Sequence, residues 1–406
     1  MAFARAAACS ALLPDGRVLV AGGNSSSGVV GTAELYGANG TFALAAPMAQ
    51  ARAGAACVTM PDGRVLVTGG NDGASALASA EIYNPAVDAW TSAGAMAVAR
   101  TGHTATLTPW GAVLIVGGNS NGSVSSVVEL FLLNGQFQTV GNLSSPREDY
   151  ALAVLPGHKV LIAGGSDGNS ALNTIDLFNA DDNSITPAGA MLVARTNFAM
   201  APLLDGTVLI AGGYGAGGNV LASSEIYDPV KQATTDGPQL SVSRANHQAY
   251  ILPNNGSVIL AGGATDGGQA LTATDLYQPW TSQFAKTAPL NTARLGDASS
   301  LLRRGALIVA GGRNGSGYLT SSEVYGFATI ETDKNDYPPG TPVIMTGSGW
   351  KPGEQVLVQV TAFPLDRHSV EFTGAAVADG TGQIQLTGFQ VDKSHLGGGL
   401  PGECHG

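Results

Sequence analysis

Short aliphatic runs recur along the chain, and each ends in a pair of glycines: Gly22-Gly23, Gly69-Gly70, Gly117-Gly118, Gly164-Gly165, Gly212-Gly213, Gly262-Gly263 and Gly311-Gly312. Successive pairs lie 47, 48, 47, 48, 50 and 49 residues apart. Twelve or thirteen residues after the first glycine comes an acid, then an aliphatic, then an aromatic: Glu34-Leu35-Tyr36, Glu81-Ile82-Tyr83, Glu129-Leu130-Phe131, Asp176-Leu177-Phe178, Glu225-Ile226-Tyr227, Asp275-Leu276-Tyr277 and Glu323-Val324-Tyr325. Seventeen or eighteen residues before each pair stands an arginine: Arg5, Arg52, Arg100, Arg147, Arg195, Arg244 and Arg294. A lattice with no member missing is the mark of a repeat architecture, and it is read before any other feature.

Each unit predicts four short strands. The first follows the arginine and ends at Asp15-Gly16, Asp62-Gly63, Asp205-Gly206 or an equivalent, dipeptides that suit a type I′ hairpin. The second is the aliphatic run, and a polar Gly/Ser/Asn loop leads to the third, which carries the acid and aromatic. The fourth bears an aromatic in several units: Phe42, Trp90, Phe137 and Phe284. No unit has a 3.6-residue period, which excludes a helical solenoid. Seven four-stranded antiparallel units predict a radial propeller over residues 1–328.

From residue 329 the repeat stops. TDKNDYPPGTPVIMTGSGWKPGEQVLVQV and VEFTGAAVADGTGQIQLTGF alternate apolar and polar residues around PG turns, which predicts a β-sandwich over 329–406. At 78 residues it is shorter than the usual sandwich of about 100. The final GLPGECHG is not strand-like, whereas a permitted codon choice read one nucleotide later encodes the alternating AYLVNATG; a frameshift or truncation is expected there. Repeat seven also lacks a fourth-strand pattern after Tyr325. An apolar residue stands four positions before every arginine, and in repeat one it is Met1. Met1 is therefore read as an internal methionine, with the closing strand absent from this chain and an export signal expected upstream. MAFARAAACSALL superficially resembles such a signal, but the repeat accounts for each of its positions.

Charged residues make up only 12% of the chain, 19 basic against 30 acidic, for a net charge of −11. That balance repels nucleic acid and anionic lipid, and no apolar run is long enough to span a membrane. Neither nucleic-acid binding nor membrane insertion is expected. Cys9, Cys57 and Cys404 are too few for a disulfide framework and lack zinc spacing. Cys9 and Cys57 fall on first strands of neighbouring units in alanine-rich surroundings, and read as buried, inert thiols.

The pattern R…LxDGRVLVAGG…EIYxPxxxxW resembles the kelch repeat, in the version found in bacterial kelch arrays related to galactose oxidase. The resemblance covers about residues 1 to 328. It implies an all-β chain: a seven-bladed kelch β-propeller followed by an immunoglobulin-like β-sandwich, a domain that galactose oxidase also carries after its propeller. It further implies a possible copper radical oxidase, whose metal needs two histidines and two tyrosines, one tyrosine crosslinked to a cysteine, with an adjacent Tyr-His pair. His103, His158, His247, His368, His395 and His405 are preceded by Gly, Gly, Asn, Arg, Ser and Cys. No such pair exists, so no metal or other cofactor is expected. Sialidase Asp-box turns are absent as well.

One arginine and one acid per blade, at fixed offsets, suit a charge-assisted hydrogen bond that holds the scaffold. Function on a repeat scaffold belongs where the repeats differ. Three residues after the arginine the series is Ala8, Ala55, His103, Tyr150, Phe198, His247 and Asp297, flanked by Glu148, Asp149, Asn197 and Asn246. First strands are innermost in kelch propellers, so this tier is placed at the channel mouth, with Tyr214, Arg313 and Tyr318 from the loops after the second strands. The candidate ligand-binding residues are His103, Glu148, Asp149, Tyr150, Asn197, Tyr214, Asn246, His247, Asp297 and Arg313. The expected function is an exported, monomeric, non-enzymatic module for a protein or glycan ligand, extracellular or at the cell surface. The alternative is a galactose-oxidase-like or sugar-processing enzyme using Glu148, Asp149 or Asp297 as acid or base.

Overall fold

A computed structural model describes residues 1–253, 255–303, 305–334, 337–338, 340–348, 350, 353–360, 372–380 and 383–390. The chain divides into two compact units, residues 1–325 and 326–406. Among the described residues every regular element is a strand, and no helix is long and apolar enough to cross a membrane.

The first unit is a ring of seven antiparallel sheets, the seven-bladed propeller that the repeats predict. Blade one is built from Cys9–Leu12, Val18–Ala21, Ala33–Tyr36 and Phe42–Ala45, in that spatial order. Blades two to six repeat this order. Blade seven has three strands among the described residues: Ala298–Leu301, Leu307–Ala310 and Ser322–Tyr325. The second strands, mostly aliphatic, lie in the middle of each sheet and are largely buried; in Val18–Ala21 and Val113–Val116 all four residues are. Aromatics on the third and fourth strands meet across the ladder, Tyr36 with Phe42 at 5.2 Å and Tyr83 with Trp90 at 5.0 Å between centroids. Such pairs add to burial energy on the outer part of each blade.

The hairpin between first and second strands differs from the type I′ turn expected. Gly16 N–H donates to Leu13 O at 2.9 Å and Leu13 N–H to Arg17 O at 2.8 Å, which closes a loop one residue longer. Only Gly16, not Asp15, has positive φ. The loop is a type I turn followed by a left-handed glycine, and Pro14, with φ held near −65°, suits its first central position. The carboxylate of Asp15 then accepts the Arg17 N–H at 3.0 Å.

The lattice arginines are buried, and their terminal nitrogens are engaged within their own blades. Arg147 Nη1 donates to Gly164 O at 2.9 Å and Thr174 O at 3.1 Å, and Nη2 reaches Asp176 at 2.7 Å. The acid also holds the segment entering the blade, since Ser144 N–H and Oγ both donate to Asp176. The glycine pairs permit neighbouring blades to touch through backbone. Gly23 N–H donates to Arg52 O of the next blade at 2.8 Å, and a Cβ on Gly22 would stand 2.2 Å from that oxygen. The same contact closes the ring, from Gly312 to Arg5 O at 2.8 Å. Met1 takes the place of Met48 and Met96, its Cε against Gly311 as theirs are against Gly22 and Gly69.

Cys9 and Cys57 are joined in a disulfide, with Cα atoms 5.5 Å apart. The reading as inert thiols is thereby corrected. Cys9 stands four residues after its arginine and Cys57 five after its own, and alternate residues of a strand face opposite sides. Ser10, at the position of Cys57, points back to Ser299 of the preceding blade; Cys9 therefore points forward, and the two thiols meet across one seam. Closing a loop of 48 residues stabilises the fold by about 4 kcal/mol in the chain-entropy view. Cys57→Ser is expected to lower the urea midpoint accordingly, and reductant should lower the native midpoint to the same value. A midpoint indifferent to reductant would mean that the thiols are not joined.

The second unit has a three-stranded sheet in the order Thr329–Thr332, Pro342–Ser348, Gln383–Gln390, and a pair, Gln355–Val360 with Phe372–Val377. Val343, Met345, Ile384 and Leu386 from the first and Val356 and Val358 from the second share one core. The expected frame error at 399–406, Cys404, His368, His395 and His405 lie outside the described residues.

Candidate functional site

From blade seven through blade one to blade six the first strands of successive blades lie against one another around the axis, so the residues just before the first strands form the rim at one end. Two residues after each arginine the backbone is left-handed in all seven blades: Ala7, Gly54, Gly102, Asp149, Asn197, Asn246 and Gly296. Glycine adopts this conformation freely, and asparagine and aspartate tolerate it better than other residues. Asp149, Asn197 and Asn246 are thus accounted for by backbone shape before any ligand is considered.

Rim residues are linked blade to blade. Ala7 N–H donates to Gly296 O, Gly54 to Ala7 and Gly102 to Gly54, at 2.7, 3.0 and 3.1 Å; Asn197 donates to Asp149 and Asn246 to Asn197, at 2.7 and 2.9 Å. Among the described residues no such bond joins Gly102 with Asp149, or Asn246 with Gly296. The rim is therefore two arcs, one of glycine and alanine on blades seven, one, two and three, the other of Asp, Asn and Asn on blades four to six.

In blades three to six the next residue turns into the seam against the preceding glycine pair. His103, Tyr150, Phe198 and His247 are buried there, each ring against Gly69, Gly117, Gly164 or Gly212. His103 Nε2 lies 2.8 Å from Thr68 Oγ1, and the Tyr150 hydroxyl donates to Val116 O and accepts from Thr104 N–H. Burial, reinforced by nearby Arg100 and Arg244 respectively, pushes both imidazoles down to about 3, so they are neutral at pH 7. The structure places His103, Tyr150 and His247 inside the scaffold, apart from one another.

The more accessible candidates gather elsewhere. Glu148 accepts from Asn119 Nδ2 at 2.8 Å in the seam of blades three and four. Asn246 Nδ2 donates to the Tyr214 hydroxyl at 3.3 Å between blades five and six. Asp297 accepts a hydrogen bond from Ser299, and burial holds its carboxyl above the usual range. Opposite it on the first strand of blade six stands Tyr250, bonded to Gln248 at 2.6 Å; burial and then the Asp297 charge raise its phenol. Gln248, Tyr250 and Ser299 were not anticipated. Their signal is present in QAYI, where the matching first strands of blades one to five carry mainly small or aliphatic residues. Arg313 is exposed and lines a groove of about 490 Å³ between the loops of blades six and seven, with Gln269, Leu295, Asn314 and Ser316. The seam of blades six and seven thus combines a gap in the rim, a half-buried carboxyl and phenol, and a groove with a guanidinium.

The copper site that the resemblance implies does not fit these residues. His103 and His247 occupy different seams, Cys9 is bonded to Cys57, and among the described residues no three His, Cys, Asp or Glu side chains converge as ligands.

The kelch motif matches residues 51–97. No curated protein matches the sequence. A fungal alcohol oxidase of the AA5 family, solved with copper, superposes with a TM-score of 0.65 at 15% identity, covering 96% of this chain and 91% of its own. The protein YjhT superposes with a TM-score of 0.56 at 15% identity, covering 70% of this chain and 98% of its own. Motif, seven-bladed ring and shared architecture agree: this chain is a seven-bladed β-propeller that carries a kelch motif and shares its fold with these two structures.

Proposed function

We propose that the chain is an exported, non-enzymatic binding module that takes a glycan or protein ligand on its loop face, at the seam of blades six and seven. The groove of about 490 Å³ around Arg313 carries this reading. No ion pair or hydrogen bond engages the Arg313 guanidinium among the described residues, so its donors stay free for a ligand, beside the amide of Gln269 and the apolar Leu295. The Cys9–Cys57 disulfide supports export, because such bonds persist in oxidising compartments. The second unit, read as an immunoglobulin-like sandwich, serves as a spacer in this scheme. Kelch propellers commonly bind proteins, and the unmatched donor set leaves the oxidase reading without support from the site itself.

A glycan array and affinity capture, run in parallel on the native chain and on Arg313→Ala, test the proposal. The expected result is a ligand whose affinity drops at least tenfold in the variant. A flat response on both screens would overturn it, as would copper-dependent peroxide formation from sugars or alcohols.

A further inference from the structure

The opposite end of the propeller carries the turns between first and second strands and between third and fourth. In blades one, two and five the first turn bears Asp15, Asp62 or Asp205, each accepting the N–H two residues on at 3.0, 3.0 and 2.9 Å. Blade three has Trp110 at this place. The turn forgoes its side-chain hydrogen bond and sets a large apolar ring in water, 57% exposed. Both changes work against stability and solubility, so the fold gives no reason for the tryptophan.

Its surroundings are built. His158, from the equivalent turn of blade four, meets the indole edge-on at 4.6 Å between centroids. His158 Nδ1 is fixed in turn by Asp181 at 2.8 Å. Leu133, 76% exposed, lies against Gly111 on the other side of the turn. There a groove of about 470 Å³ opens, lined by Asp62, Arg64, Asn134 and Gly135. Asp181 and Asp62 place carboxylates on both sides of the platform.

We infer that Trp110 is the stacking platform of a second binding site, independent of the loop-face groove, for a neutral hexopyranose-containing glycan. A pyranose presents one C–H face to an aromatic ring and a rim of hydroxyls to neighbouring polar groups. Here Asp181 and Asn134 accept and the Trp110 indole N–H donates, while Asp62 and Arg64, ion-paired at 2.6 Å, form a polar edge to the groove. Two exposed apolar side chains are too few for the core of a stable protein interface, which needs about 800 Å² per partner. The net charge of −11 on the chain, with Asp181 beside the platform, disfavours acidic sugars.

Affinity electrophoresis through gels holding hydroxyethylcellulose, galactomannan or polygalacturonate tests this on the full chain. Retardation is expected on at least one neutral polymer and not on polygalacturonate. Trp110→Asp restores the turn residue of blades one and two, so its thermal midpoint should equal or exceed the native one while retardation weakens at least tenfold. Arg313→Ala should leave retardation unchanged, which separates this site from the loop-face groove. No retardation on either neutral polymer, retention by a well-folded Trp110→Asp, or preference for polygalacturonate would each overturn the proposal. So would loss of self-association or of protein capture in Trp110→Asp without any loss of glycan binding.

Discussion

Arg147→Met is expected to destabilise the propeller by about 3 to 5 kcal/mol, because it strands the carboxylate of Asp176 in the interior. Both side chains of the pair are 0% exposed. Methionine fills much of the space but donates nothing to Asp176, Gly164 O or Thr174 O, the acceptors that Arg147 now serves. Adding Asp176→Leu should recover part of the loss, since the uncompensated charge leaves with its partner. Urea unfolding of the native chain and both variants measures this. A single-variant loss below about 1 kcal/mol would show the pair to be hydrated in solution and the lattice less important than its regularity implies.

Stability should also fall steeply with acid, through His103 and His247. Their folded values near 3 lie below the ordinary 6.5. Below pH 6.5 the unfolded chain takes up protons that the folded imidazoles refuse, so stability is lost as pH falls from 6.5 toward 3. At pH 4.5 each ring accounts for about 3 kcal/mol, since each unit between 6.5 and 4.5 is worth about 1.4 kcal/mol. His247→Phe copies Phe198, which fills the same position in blade five. The variant should match the native protein at pH 7 within about 1.5 kcal/mol and exceed it by about 3 kcal/mol more at pH 4.5. Equal shifts at both pH values would place the proton demand elsewhere.

Blade number and strand order were legible because the glycine pairs, arginines and acids each meet a fixed geometric need in every blade, and a repeated need leaves a repeated residue. The disulfide was legible in principle through the one-residue offset of Cys9 and Cys57 from their arginines, but composition alone hides that parity. The hairpin turn was misread because Asp-Gly fits two loop lengths, and Pro14 selects the longer.

The candidate site was less legible. Variation among repeats drew attention equally to residues that satisfy the rim's left-handed backbone, such as Asn197, to wedges that fill a seam, such as His247, and to accessible groups such as Arg313. Only the third kind is free to meet a ligand, and accessibility is a property of the assembled ring. Gln248 and Tyr250 were overlooked for the converse reason: they lie on a strand whose counterparts are mostly filler.

The two arcs of the rim bear on how selective the mouth can be. Within each arc the peptide groups already satisfy one another, so a visiting molecule finds few unclaimed carbonyls or amides there and must be told apart by side chains. At the two interruptions, beside Asp149 and beside Gly296, the main chain is left free of that mutual engagement. Those joints are where a guest can be greeted by peptide dipoles.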